Sequence, residues 1–540
     1  MAKARQRQKS RGSERSDYQA QTGRADARGK AFQPGQVVAM APGSDVQFNR
    51  PRPSPTRYPI SHDVFLKIKT AAKTRRVAAS AKRSAVVVHD RRRRSPVAAE
   101  RAAPGEAAPA LATAPGGPIS VVASFPGISA TGWLPPDCTL AVGPRHVVVS
   151  VNATVSVYAR TGGAPTLTHT LVAWFASVIA PAKLFDPKLL YDQQAGRWVL
   201  VALADGPGPT DSFVLISISK TADPNGAWWN YKIDATKDGN KKTNDWADYP
   251  SVGLDSQALY LTVNMFQRSG GFTGARLFVI PKTGPYAGGA LTFKSFTKLK
   301  NGDGSLAFTV QPCHTFGAPG AEFLVNTAFP SSVGTRDYVT LWSVTNPSAP
   351  TLTRKTIKVA AYGMPPDADQ RGGGTPLDSG DPRVLNAVSR GGAVWCAFVT
   401  THSFGGPPVA AIQWLQLNPT SGTLTQQGVY GANGAHYFYP GVMPNTNGDL
   451  LVVFSRSSTT EFASIAATGR RAADPPGTLG GSVPITAGTA NYVGLDGSGR
   501  NRWGDYAGAG VDPVNNLGAW LYSMYATTGN HWATQIASVV

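Results

Sequence analysis

From about residue 118 onward the chain predicts an all-β fold built from a repeated unit, and three observations predict it. Gly (58) and Pro (42) are abundant beside a 42% hydrophobic fraction, and the Val-, Thr-, Tyr- and Trp-rich stretches are short and punctuated by turn residues. A small or acidic residue, often Asp with Pro beside it, recurs ahead of a short alternating strand. These openings are PPDCTLAVG (Asp137), FDPKLLYD (Asp186), WADYPSVGLD (Asp248), TVQPCHTFG (Pro312), SGDPRVLNA (Asp381), HYFYPGVMP (Pro440) and WGDYAGAGVD (Asp505), spaced 49 to 69 residues apart. An apolar strand such as HVVVSVN, RWVLVALA, ALYLTVNMF or AWLYSMYA follows each one, and further strands then end in Gly/Pro/Asn turns. Four short strands per unit at a long period describe a propeller blade, because each twisted sheet packs face to face on its neighbours around an axis. The expectation is a seven-bladed β-propeller, with six or eight blades as the neighbouring counts because loops vary, preceded by a disordered basic N-terminal tail.

Taken in order, residues 1–117 are expected to form the tail and an Ala/Pro linker, and residues 118–540 the propeller. Residues 1 to about 60 are polar and without hydrophobic period, so they bury too little surface to offset the entropy of ordering. The stretch SHDVFLKIKTAAKTRRVAAS (61–80) predicts a short basic amphipathic helix, with Val64, Phe65, Ile68 and Ala72 near one face and an Asp in the first turn. Arg91, Arg92, Arg93 and Arg94 form a basic run ahead of the linker. At the other end the last unit holds only AWLYSMYA and HWATQIASVV after its opening, so it lacks a fourth strand. Residues 119–126, ISVVASFP, are a spare strand. Adding it to the last blade closes the ring and covers an exposed edge.

The net charge is +20, and residues 1–110 carry 24 Lys+Arg against 8 Asp+Glu, leaving 28 against 24 for the rest. The basicity therefore belongs to the tail. Its Arg91–Arg94 run suits an anionic partner (nucleic acid, an anionic membrane or an acidic protein) through counterion release; the bland alternative is a solvated tail with no specific partner. Aromatics are sparse there, so base stacking is not indicated. Cys138, Cys313 and Cys396 lie far apart without a CxxC pair, which points to buried structural thiols and away from a zinc site or disulfide scaffold. The N-terminus lacks an apolar segment after its positive charges, so no signal peptide is expected, and no uninterrupted apolar run is long enough for a membrane span.

Several stretches resemble bacterial, often extracellular, sialidase-like β-propeller proteins, most without an assigned activity. They are PPDCTLAVGPRHVVVSVNATVSVYARTGG (135–163), FDPKLLYDQQAGRWVLVAL (185–203), SISKTADPNGAWWNYKID (217–234), DWADYPSVGLD (245–255) and RWGDYAGAGVDP (502–513). Within them TADPNGAWW resembles a degenerate Asp-box turn, a structural element in that group. The resemblance implies an extracellular protein and a carbohydrate ligand. The absence of a signal peptide departs from the group and leaves a cytoplasmic or non-classically exported protein as the other expectation.

The recurring acids open the predicted innermost strands, so Asp137, Asp186, Asp248, Asp381 and Asp505 are expected to converge at one mouth of the central channel. Such a ring can hold a hard cation, Ca²⁺, through oxygen ligands, or supply an acid/base pair. The bland alternative is that each Asp accepts backbone N–H groups in the turn entering its strand. Tyr249, Tyr439 and Tyr506 stand at openings, and Arg197 and Arg502, with Arg145, Arg383 and Arg456, are candidates to fork onto a ligand carboxylate. Glutamate is nearly absent from the propeller, with only Glu322 and Glu461. His spacing fits no metal motif, and no GxSxG or phosphate-binding loop occurs.

The primary expectation is a non-enzymatic binding propeller presenting loops to a glycan, protein or surface ligand, with the tail as an addressing or packaging element. One alternative is a sialidase-like glycoside hydrolase acting at the channel mouth. Another is a secreted cargo or toxin-like effector delivered by a non-classical secretion system. Removing residues 1–117 is the deletion that, on sequence grounds, separates tail from propeller.

Overall fold

The computed structural model describes residues 14–15, 18–34, 58–72, 86–89, 119–180, 182–206, 208–330 and 334–540; the Arg91–Arg94 run lies outside them. The described chain is almost entirely β, and its strands pair as successive antiparallel sheets, each begun by an innermost strand. Thr139–Val142 (β1) is followed by His146–Val151, Thr154–Ala159 and Leu167–Thr170. Lys183–Asp192 (β2) is followed by Arg197–Asp205, Ser212–Ser219 and Trp228–Asp234. Asp245–Leu254 (β3) leads Ala258–Gln267, Phe272–Pro281 and Ala290–Phe296. Gln311–Thr315 (β4) leads Glu322–Thr327, Thr335–Thr345 and Thr351–Gly363. Asn386–Arg390 (β5) leads Ala393–His402, Val409–Asn418 and Thr423–Gly431. Ala435–Pro444 (β6) leads Leu450–Ser458, Glu461–Arg470 and Val483–Thr486.

Gly508–Val511 (β7) has only Ala519–Thr527 and His531–Val539 after it, and Val121–Ser129 pairs antiparallel with the last of these, Ile536 opposite Phe125 and Val539 opposite Val121. Backbone bonds from Ser120 N to Val540 O (2.8 Å) and from Val540 N to Ser120 O (3.0 Å) extend the closure to the chain end. The spare N-terminal strand thus sits where the sequence places it. Each innermost strand touches the next, and β7 returns to touch β1, so the inner strands form a closed cycle as in a β-propeller.

Burial on both faces explains the near-continuous apolar runs. In Arg197–Asp205, Trp198, Leu200 and Ala202 join a core with Val148 and Val155 of the preceding sheet, while Val199, Val201 and Leu203 join Leu259, Leu261 and Val263 of the following one. A strand that feeds two cores has no polar face to alternate with. Near the axis the backbones themselves meet: β3 and β4 pair parallel at Leu254 and His314, and β4 and β5 at Cys313, His314 and Thr315. A Cβ on Gly253 would lie 2.1 Å from the Cys313 carbonyl oxygen, so only glycine permits that approach. Cys138, Cys313 and Cys396 are all buried and free.

Part of the expected tail is ordered against the propeller. Gln21–Arg28 pairs antiparallel with Ala290–Phe296, and Lys30–Phe32 with Trp228–Asp234, each extending a sheet at its outer edge. The polar composition that argued for disorder is compatible with this, because an added edge strand is held by main-chain hydrogen bonds and needs few apolar side chains. His62–Ala72 (α1) forms where the 3.6-residue period predicts it and buries Phe65, Ile68, Lys69 and Ala72, with Val64 half-buried. Ser61 begins it, its carbonyl accepting from Phe65 N at 3.0 Å.

Candidate functional site

Three of the seven openings marked in the sequence are bulges. Register slips between Phe185 and Lys188 in β2, between Asp248 and Ser251 in β3, and between Phe438 and Gly441 in β6. The extra pairs are Asp186-Pro187, Tyr249-Pro250 and Tyr439-Pro440, and the first residue of each has φ of 52°, 50° and 52°. Asp137 (55°) and Thr309 (50°) take the same left-handed backbone ahead of β1 and β4. A bulge turns its side chain away from the regular pleat, and proline suits it because no ladder N–H is needed there. Each left-handed non-glycine residue costs about 1–3 kcal/mol, so surrounding bonds must hold it. Asn152 does so for two neighbours at once. Its Nδ2 donates to Asp137 Oδ2 at 2.7 Å and to the Pro135 carbonyl at 2.8 Å, and its Oδ1 accepts from Asp186 N at 2.8 Å.

This alignment corrects the ring of acids by one residue. The position equivalent to Asp186 in β3 is Tyr249, not Asp248, which precedes the bulge and lies opposite Asn264 in the ladder. In β6 the equivalent is Tyr439.

What converges at this end of the channel is a mixed cluster. Asp505 donates its backbone N–H to Asp137 Oδ1 at 2.8 Å, and its carboxylate accepts from Arg502 Nη2 at 3.1 and 3.0 Å. Asp381 accepts from Arg383 Nε at 2.9 and 3.0 Å and from its Nη2 at 2.5 Å. The Arg383 guanidinium lies 4.3 Å from the Tyr249 ring centroid. Tyr249 and Tyr506 meet edge to face at 6.0 Å, their hydroxyls donating to the carbonyls of Asp505 (3.3 Å) and Pro187 (2.9 Å). Lys188 Nζ sits 2.9 Å from the Tyr506 ring centroid and 5.2 Å from that of Tyr249.

Burial dominates the electrostatics. It pushes the Asp137 carboxyl up to about 8, the Asp505 charge adding to the effect and Arg502 and Lys188 opposing it. Asp186 is raised well above the carboxylate range by burial and by Asp137, Asp248 and Asp505. Burial lowers Lys188 to about 7 against the pull of Asp186, Asp137 and Asp505. Burial thus works against charge on Asp137, Asp186 and Lys188 alike, while the carboxylates of Asp381 and Asp505 are forked onto arginines.

The carboxylates expected to face a Ca²⁺ ion have other partners here. Asp381 and Asp505 turn their oxygens to Arg383 and Arg502, Asp137 accepts from Asn152 and from the Asp505 backbone, and Asp248 lies one residue before the bulge. Among the described residues no group of three or more His, Cys, Asp or Glu side chains is placed to hold a metal ion. Arg197 is not brought to the cluster either: it pairs with Asp192, at the opposite end of β2 from Asp186.

The sequence reading missed what closes the mouth. Lys69 of α1, 4% exposed, reaches Asp367 Oδ1 at 2.9 Å, Asp378 Oδ1 at 3.5 Å and Ser379 Oγ at 3.2 Å. Tyr58 stacks on Phe65 with centroids 3.6 Å apart, and Arg500 lies 5.2 and 5.4 Å from the two rings while pairing with Asp378. Burial alone would raise Asp378, but Arg500, Lys69 and Arg502 together hold it well below the usual carboxylate range. Tyr439 donates to the Asp378 carbonyl at 3.1 Å. Beneath this cover Tyr58, Tyr249, Asp381, Arg383, Arg500 and Asp505 leave a space of only about 10 Å³, enough for one water. The amphipathic period of 61–80 was the available signal, since a helix with one apolar stripe must find a surface to bury it.

The TADPNGAWW stretch is a turn in which Asp223 Oδ1 accepts from Asn225 N at 3.0 Å, and the fully buried Trp228 donates from its indole to the Pro224 carbonyl at 2.9 Å. Nothing in it points to chemistry.

No family model matches the chain and no curated protein matches it. Among solved structures it is similar to NanB in complex with Optactamide (10% identity, 73% of this chain and 83% of that one, TM-score 0.37). It is also similar to a Trypanosoma rangeli sialidase in complex with sialic acid (9%, 74% and 59%, TM-score 0.38) and to a GH43 endo-arabinanase from Bacillus licheniformis (13%, 54% and 97%, TM-score 0.29).

Proposed function

We propose that the four-stranded sheets are the seven blades of one rigid disc, and that the protein is a non-enzymatic binding propeller presenting its loops to a glycan or protein ligand. The observation that carries this reading is the state of the mouth cluster: its carboxylates are forked onto Arg383 and Arg502, and α1 covers them. A hydrolytic pair needs one free carboxylate and one proton donor flanking an open cleft. Here the charged groups serve one another. Binding of a glycan array by the full chain, with no turnover of a broad glycoside panel, is the expected result; turnover that Asp137→Asn abolishes without loss of stability would reverse it.

One observation favours the hydrolase reading. Asp137, raised to about 8, is bonded to the backbone of Asp505, and a carboxyl that keeps its proton near neutrality is suited to the general-acid role. The same turnover assay decides between the two.

A further inference from the structure

On the far side of the mouth cluster a cavity of about 70 Å³, room for a small molecule only, follows the axis, lined by Lys188 and Tyr506 at one end and by Gln311 and His314 towards the other. His314 also lines a separate cavity of about 200 Å³ with Arg390 and Asn516. Lys188 is 8% exposed, and among the described residues its Nζ has no hydrogen-bond or ion-pair partner, only the faces of Tyr506 and Tyr249. The other deeply buried lysines are held: Lys282 by Asp192 at 2.5 Å, and Lys69 by Asp367 at 2.9 Å. A buried amine left without a partner and bordering a cavity is a group kept for a ligand, because a native fold otherwise satisfies such groups.

We propose that Lys188 is a reactive amine that captures a small aldehyde from the axial cavity as an imine. The Nζ lone pair attacks the carbonyl carbon, forming a C–N bond. The resulting carbinolamine then loses its oxygen as water, which carries away both amine protons, and no oxidant or reductant is consumed. The surroundings favour this product over an anionic adduct or a bound anion, since the groups acting on the same amine are the acids Asp186, Asp137 and Asp505 and one cation, Arg383, whose charge is already matched by Asp381. The lowered basicity of Lys188 supports the chemistry, because the neutral amine is the nucleophile.

The test uses the full chain at pH 7 with limiting propanal and cyanoborohydride, the latter serving only to trap the imine, followed by peptide mass mapping. At that pH an amine titrating near 7 has roughly a thousandfold larger neutral fraction than an ordinary lysine, part of which is lost to its lower intrinsic nucleophilicity. The Lys188 peptide is expected to be propylated at least about tenfold faster than the exposed Lys241 and Lys242, with a rate that rises to half its maximum near neutrality. Lys188→Met should abolish labelling of that peptide and leave the surface pattern intact. Reaction at surface lysines with the Lys188 peptide unmodified overturns the proposal, as does labelling that appears only in denaturant. Saturable protection of the folded chain by acetate, without imine formation, makes the site an anion seat and overturns it too.

Discussion

Replacing Lys69 by Met keeps the length of the side chain and removes its charge from the seat under α1. Breaking a buried ion pair typically costs about 3–5 kcal/mol, because the surviving charge is left uncompensated. Here the cost is smaller for two structural reasons. The Asp367 side chain is 37% exposed and regains water, and Asp378 keeps Arg500 in contact and Arg502 at 3.9 Å. What is lost is a charge-assisted bond or two, about 1–3 kcal/mol, which corresponds to about a 5- to 150-fold change in the opening equilibrium of α1. Hydrogen exchange read by mass spectrometry should show amides of residues 62–72 exchanging faster by that factor, together with those around Asp378, while β2 and β3 keep their rates. Unchanged protection of α1 would mean that Phe65, Ile68 and Tyr58 hold the helix without the ion pair. Uniform acceleration through β2 and β3 would mean that α1 is part of the global fold and not a separately opening cover.

Other expectations follow from the same contacts. Asp137 is pushed up to about 8 in the folded chain against 3.8 for an unperturbed carboxyl, so the folded state binds the extra proton and stability falls as pH rises from about 4 to 8; Asp137→Asn should flatten that limb in melting curves taken between pH 5 and 8. Asp381→Asn leaves Arg383 buried with its charge uncompensated and should lower stability in chemical denaturation by about 3–5 kcal/mol. Gly253→Ala forces a Cβ onto the Cys313 carbonyl and should cost at least about 1–3 kcal/mol, measured the same way, with β3–β4 pairing the first to lose exchange protection. Millimolar Ca²⁺ should leave the melting temperature where it is, since a ligand that binds only the folded state raises it.

The repeat was legible because each blade solves the same burial problem with the same pattern, and the odd strand count of the last unit forced the closure through Val121–Ser129. The site was legible only to within a residue. Aligning the openings on Asp set Asp248 against Asp186, whereas the backbone aligns the left-handed positions, which hold Asp in one blade and Tyr in another. Side chains alternate along a strand, so a slip of one changes which group enters the cluster. Lys188 follows the Asp-Pro pair in FDPK and was read past, because nothing local distinguishes an unpartnered lysine from a solvated one. Arg383, Arg500 and Arg502 acquire their meaning from Asp381, Asp378 and Asp505, and the Arg500–Asp378 pair spans 122 residues that only the closed ring brings together.

The charge distribution takes on a different sense once the tail's anchors are known. The basic excess lies within residues 1–110, yet Gln21–Arg28 and Lys30–Phe32 cover the outer edges of the β3 and β2 sheets, and α1 covers the mouth. A deletion of residues 1–117 is therefore not a clean separation of an addressing element from a binding domain. It uncovers the edges on which Gln21–Arg28 and Lys30–Phe32 pair and also those of Thr351–Gly363 and Thr423–Gly431, on which Glu14–Arg15 and Val86–His89 pair, each a template for pairing with another chain, and it leaves Asp378 facing Arg500 and Arg502 without Lys69. Aggregation or altered ligand binding after that deletion would report on uncovered edges and an uncovered mouth as much as on lost positive charge. Neutralising Arg91 to Arg94 in the full chain changes no residue of these strands or of α1, so a loss of localisation or of binding to an anionic partner in that variant would be an effect of the basic run itself.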